Sequence, residues 1–148
     1  MVHKVLSPSL FRSRRIIFGV MDIEAAIRAA FELFSAGRFD ESVRQAREVL
    51  QVAPDEPRAY RVLAGVAFQA GQFKEAEAAA RHAAELDPGV SEAWANLAAI
   101  LNAGGCPVEA ENAARKAVEL APDFASAWIN LGLSLKNQSR AHASVPAF

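Results

Sequence analysis

Cysteine is almost missing from this sequence: Cys106 stands alone, so no disulfide can form within the chain, a state that suits a reducing compartment. Nothing nearby in the sequence activates that thiol, and it reads as inert. Aromatic residues are scarce at 8% although 52% of the chain is hydrophobic, so the apolar excess lies in Ala and Leu. Both are strong helix formers, and an all-α protein is expected. An excess of one charge sign is also lacking. Sixteen basic and seventeen acidic side chains leave −1, which offers no field to steer nucleic acid or an anionic membrane to the chain. No long hydrophobic run exists either: the charge-free stretch "AWANLAAILNAGGCPV" is short and holds two Asn and two Gly, so it is no membrane span. A soluble, cytoplasmic protein is the expectation. Finally, no phosphate loop, H-E-x-x-H, nucleophile elbow or Cys/His metal spacing occurs, and His3, His82 and His142 are scattered. This points to no enzyme, no cofactor and no metal.

What charge there is falls unevenly. Four of the sixteen basic residues (Lys4, Arg12, Arg14, Arg15) lie in the first twenty residues with no acid, leaving twelve against seventeen acids, net −5, in the rest. The run "IIFGVM" follows the arginines without a small-residue cleavage site, which argues against a signal peptide, and Pro8 would interrupt a transit-peptide helix. Residues 1–22 are therefore read as a basic extension, disordered or removable, with Met21 as an alternative start.

The positive feature is a period. Gly37, Gly71 and Gly105 are spaced by thirty-four, as are Pro54, Pro88 and Pro122, and as are Tyr60, Trp94 and Trp128. Each glycine stands where a chain leaves a helix with positive φ, and each proline stands where a second helix must stop. Each unit is thus a helix pair, with repeats at 23–56, 57–90 and 91–124 and a partial fourth at 125–148. Within the second helix of the middle unit, Ala76, Ala80 and Ala83 make a narrow apolar stripe for close helix packing.

These residues resemble the tetratricopeptide repeat, whose pattern is W-x2-L-G-x2-Y, then A-x3-F, then P. Trp128, Leu131, Gly132 and Leu135 match its first helix, as do Trp94, Leu97, Ala98 and Leu101, and more loosely Tyr60, Leu63, Ala64 and Ala67. Ser42, Ala76 and Ala110 take the small position, and Ala46, Ala80 and Ala114 the later aromatic one. The "AW-N-L" wording is similar to the repeats that precede O-linked N-acetylglucosamine transferase-type catalytic domains. The resemblance implies an all-α, right-handed superhelical solenoid of antiparallel helix pairs. Departures are informative. Pro107 replaces an aromatic and fits the first turn of a helix. Ser139 replaces the fourth turn glycine, and Pro146 falls inside the expected last helix. The helix bearing Trp128, Ile129, Leu131, Leu133 and Leu135 then has no polar cap, which calls for truncation, association or self-capping.

A solenoid of this family lines its concave groove with first helices, and the resemblance implies peptide binding there. Its groove positions fall on Glu24, Ile27, Arg28, Phe31 and Phe34; on Arg58, Arg61, Val62, Gly65, Phe68 and Gln69; on Glu92, Ala95, Asn96, Ala99 and Asn102; and on Ile129, Asn130, Leu133, Lys136 and Asn137. The early groove reads as apolar and basic, the later one as small and amide-rich. Asn96 and Asn130 hold one register, where an amide can give a donor and an acceptor to a peptide backbone. Trp94 and Trp128 are assigned to core packing. Arg28, Arg58 and Arg61 have the chemistry of a carboxylate clamp but match its positions only in part.

The chain is accordingly expected to be a non-catalytic scaffold whose partner is a protein or peptide segment. The alternative is a truncated amino-terminal repeat region of a modular enzyme, such as a glycosyltransferase or sulfotransferase. Self-association through the incomplete C-terminal repeat is a third expectation.

Overall fold

The computed structural model describes residues 22–143, and among these all regular structure is helical. Seven helices follow one another: α1 (Ile23–Ser35), α2 (Phe39–Val52), α3 (Pro57–Gln69), α4 (Phe73–Leu86), α5 (Ser91–Ala103), α6 (Pro107–Leu120) and α7 (Ala125–Ala143). The expected extension before Asp22, Pro146 and the chain end lie outside the described residues. Each helix packs on the next, and α1 also touches α3 as α5 touches α7, so the pairs stack into an all-α solenoid.

The turn inside each pair is set by glycine. Gly37, Gly71 and Gly105 adopt φ of 76°, 74° and 81°, the left-handed region that costs other residues ~1–2 kcal/mol. The residue after each glycine then donates back into the helix, Arg38 N to Leu33 O at 2.9 Å, Gln72 N to Ala67 O at 2.9 Å and Cys106 N to Leu101 O at 2.8 Å. At the fourth place in the period stands Ser139, and no such turn forms. Helix α7 runs on through it to nineteen residues, with Ser139 Oγ donating to the Leu135 carbonyl at 3.1 Å. Proline is accommodated at the starts: Pro57 and Pro107 sit in the first turns of α3 and α6, where a missing amide hydrogen is not needed.

Pairs hold together through small residues. Ser42, Ala76 and Ala110 are fully buried at one register position, and Ala46, Ala80 and Ala114 at another. Ser42 keeps its hydroxyl satisfied by donating to the Ala30 carbonyl at 2.8 Å. Around this seam lie two main apolar cores. One joins α1, α2 and α3 through Ile27, Val49 and Val62; the other joins α3 to α6 through Leu97, Ile100 and Leu101.

Of the two tryptophans expected in the core, Trp94 is half-buried and packs against two apolar clusters, whereas Trp128 is 51% exposed and departs from that role. Each periodic aromatic also ties its own helix to the preceding turn: Tyr60 Oη donates to the Pro54 carbonyl at 3.0 Å, Trp94 Nε1 to Pro88 at 2.8 Å and Trp128 Nε1 to Pro122 at 2.7 Å. The ring faces remain at the boundary with the next pair and are covered only where one follows. Trp94 has α7 beside it and Lys116 Nζ 4.2 Å above its ring, whereas no described helix stacks beyond Trp128.

The same register therefore has two environments. Leu101 is 2% exposed and its counterpart Leu135 44%. Leu101→Ala is expected to lower unfolding stability by about 2–5 kcal/mol, whereas Leu135→Ala should change it by roughly 0.5 kcal/mol or less. Denaturant titration of both variants checks the contrast, and equal losses would show that α7 is covered in solution.

Candidate functional site

Helices α1, α3 and α5 line the concave face, and between them a cavity of about 350 Å³ opens. Its position follows from packing. Helix α1 lies on α3 and α5 on α7, but α3 and α5 do not pack on each other to a similar degree. The side chains that line the interval include Gly65, Ala93 and Ala99, too short to fill it. Phe31 and Phe34 from α1 and Phe68 from α3 wall it, and Ala80 of α4 reaches it from behind. Gly65 matters at atomic scale: a Cβ there would stand 3.0 Å and 3.1 Å from two ring carbons of Phe34. The absent side chain is what lets that ring lie against α3. Phe34 in turn tilts on Phe39 at 5.6 Å, and Phe68 meets Phe73 edge-on at 5.9 Å.

The arginines of this face are held by neighbouring carboxylates. Arg58 donates to both oxygens of Glu24 at 2.6 Å and 2.9 Å and to both of Glu56 at 2.8 Å and 3.0 Å. These bonds lower the pKa of Glu24 and of Glu56, Arg58 being the main cause in each, and raise that of Arg58. Arg61 pairs with Glu92 at 2.5 Å across the α3–α5 interval, with its guanidinium 5.6 Å from the Phe31 ring centroid. Its Nε is buried and has no acceptor. Glu24, Arg58 and Glu92 share one register position, so the period already contained the alternation that forms the Glu24–Arg58 pair.

Of the residues expected in the groove, Phe31, Phe34, Arg61, Phe68 and Asn96 converge on the cavity, together with Val62, Gly65, Gln69, Glu92 and Ala99. Arg28 is exposed on α1 and reaches Glu24 only through its field. Asn102 is buried, its Nδ2 donating to the Asn130 carbonyl at 3.0 Å while its Oδ1 has no partner. Asn130 turns inward, its Nδ2 donating to Ala95 at 3.2 Å and Ser126 at 3.0 Å. Lys136 is exposed and Asn137 half-buried on α7, away from the cavity. Asn96 is different from Asn130: it is exposed, has no hydrogen-bond partner among the described residues, and borders both the cavity and a second, shallower hollow toward Ser126. Ala64, Ala80, Ala93 and Ile100 also line the cavity without having been expected there; Ala80 comes from a second helix, which no first-helix pattern points to. Ile27, expected in the groove, is core at 3% exposure. No group of His, Cys, Asp and Glu among the described residues can hold a metal. None of the described helices is long and apolar enough to cross a membrane.

A family model for the tetratricopeptide repeat matches residues 33–101. Among solved structures, the chain is similar to a mutant of the O-GlcNAc transferase of Thermobaculum terrenum, at 32% identity and TM-score 0.73 over 76% of this chain and 22% of that one. The chain thus spans about a fifth of that transferase. It is also similar to the first TPR of Spaghetti (RPAP3) bound to the HSP90 peptide SRMEEVD, at 22% identity and TM-score 0.72, covering 82% of this chain and 94% of that one. The Sgt2 TPR domain of Aspergillus fumigatus matches at 19% identity and TM-score 0.77, covering 85% and 86%. At such identities the last two show the fold. A search of curated proteins by sequence gave no match.

The Arg58 cluster makes stability depend on pH in a defined direction. Because the folded pKa of Glu56 lies below its ordinary 4.5, the cluster's contribution is complete above that value and is lost as pH falls through the folded one. Thermal unfolding should show a midpoint that drops below pH 4.5, and Arg58→Met should flatten that drop. An identical acid profile in the variant would mean that other carboxylates govern it.

Proposed function

The chain is a tetratricopeptide-repeat protein, and we propose that it is a non-catalytic scaffold that binds a segment of a partner protein in its concave groove. One observation carries this reading: three phenylalanines, Arg61 and the unpartnered amide of Asn96 come from three separate helices to one cavity. Apolar walls with a few placed polar groups are the usual make-up of a binding site. The bound HSP90 peptide in the Spaghetti domain supports the same use of the fold. The cytoplasm is the location this reading assigns, in keeping with the lone thiol of Cys106.

A second reading has its own observation. Trp128, Ile129, Leu133 and Leu135 are 41–68% exposed on α7, and the chain is 32% identical to part of an O-GlcNAc transferase. Further repeats leading to the catalytic part of a modular glycosyltransferase or sulfotransferase would cover α7; a second copy of the chain would do so as well. Reading the genomic DNA beyond the codon of Phe148 separates these. A catalytic domain in any frame supports the modular enzyme, and an unrelated gene removes it.

On a peptide array, sequences retained by the protein should be lost with Phe68→Ala and with Asn96→Ala but kept with Lys74→Ala on α4. Unchanged retention in the first two would place the site elsewhere. In sedimentation, association through α7 would raise the mass with concentration, and Leu135→Lys should abolish that rise; a constant monomer mass leaves α7 unpaired.

A further inference from the structure

We infer that the cavity between α1, α3 and α5 recognises one uncharged, bulky side chain, aromatic or large aliphatic, within an internal stretch of a partner protein, and takes no part in gripping a C-terminal carboxylate. This rests on the groove-binding reading above and specifies its ligand.

Charge is the first argument. A carboxylate clamp needs several free cationic donors aimed at one point. Here Arg58 is enclosed by Glu24 and Glu56, and Arg61 is balanced by Glu92. Arg28 and Lys136 have no ion pair among the described residues, but they stand on α1 and α7, the first and last helices of the face. The cavity lining is therefore electrically balanced, with one cation and one anion already in contact, and a charged side chain entering it would lose its hydration without gaining a free partner.

Shape is the second. The opening is about 350 Å³, at the lower end for small-molecule pockets, and is bounded by Phe31, Phe34, Phe68 and Ile100. It exists because α3 presents Gly65 where any larger residue would meet Phe34. Backbone chemistry is the third. Asn96 beside the opening offers one donor pair and one acceptor, matching the free N–H and C=O of an extended residue, whereas a helical ligand would have satisfied these itself. An internal residue has both flanking peptide groups for these contacts.

The test uses the full chain and labelled host peptides of Ala, Gly and Ser whose central residue is Phe, Leu, Ala or Glu, each made as free acid and as amide, with SRMEEVD as an acidic comparison. Fluorescence anisotropy should show Phe and Leu peptides binding about tenfold or more tightly than Ala and Glu peptides, equally as acid or amide, and SRMEEVD binding no better than the Glu peptide. Gly65→Ala, whose Cβ would stand 3.0 Å from the Phe34 ring, displaces that ring and should erase the preference for Phe, with helix content and melting temperature followed alongside to show that the variant folds. Asn96→Ala, at an exposed and unpartnered side chain, should weaken all peptides alike. Binding that ignores the central residue, or that is lost on amidation, overturns the inference while leaving the groove as a peptide site. No binding by any peptide sinks both.

Discussion

How near two helices can lie depends on the side chains between them, and in this protein that spacing is set by residues with little or no side chain. Ala46, Ala80 and Ala114, with Ser42, Ala76 and Ala110, are completely or almost completely buried in the seam of each pair. Interiors pack near crystal density, so a larger residue at any of these places would force the helices apart rather than fill a space. The same smallness has the opposite effect on the concave side. There Gly65, Ala93 and Ala99 leave α3 and α5 unable to close on one another, and the space becomes a cavity. One property of the sequence thus builds both the tight seam and the open site.

Stacking is stabilised by polar ties as well as by burial. Tyr60, Trp94 and Trp128 each donate to the carbonyl of the proline six residues earlier, which joins one pair to the next. Such a bond is worth about 0.5–1.5 kcal/mol, and it repeats because the loop before each first helix has the same shape. Ser91 makes a tie within its own pair, its hydroxyl on α5 donating to the Ala117 carbonyl of α6 at 2.8 Å. The aromatic rings complete their burial only when a further pair arrives. This explains why one register position is half-covered at Trp94 and open at Trp128, with no change in the residue itself.

Electrostatics on the concave face shows how misleading a list of charged residues can be. Arg28, Arg58 and Arg61 read as a basic groove, yet two of the three are held by Glu24, Glu56 and Glu92. The pair of Arg61 with Glu92 also bridges the interval between α3 and α5, so it shapes the rim of the cavity rather than leaving a free charge there. A comparable division separates the two asparagines of one register. Asn130 has the Ala95 carbonyl within reach and turns inward, whereas the residue of the preceding first helix that would meet Asn96 lies across the opened interval.

The fold was almost wholly legible in the order of residues, because it rests on local chemistry. Positive φ demands glycine at 37, 71 and 105, proline ends each second helix, and alanine periodicity marks the seam; the exception is α7, which runs on through Ser139 where a separate last helix was expected. Much of the candidate site was legible as well, since Phe31, Phe34, Arg61, Phe68 and Asn96 fall at first-helix positions. What only the tertiary structure decided are matters of distance between residues far apart in the chain. Which arginine is neutralised, which asparagine is free, that Trp128 lies open, and that the cavity falls between α3 and α5 all depend on how one pair is set against the next. A local pattern is blind to that spacing, because it is the sum of many small contacts across separate helices.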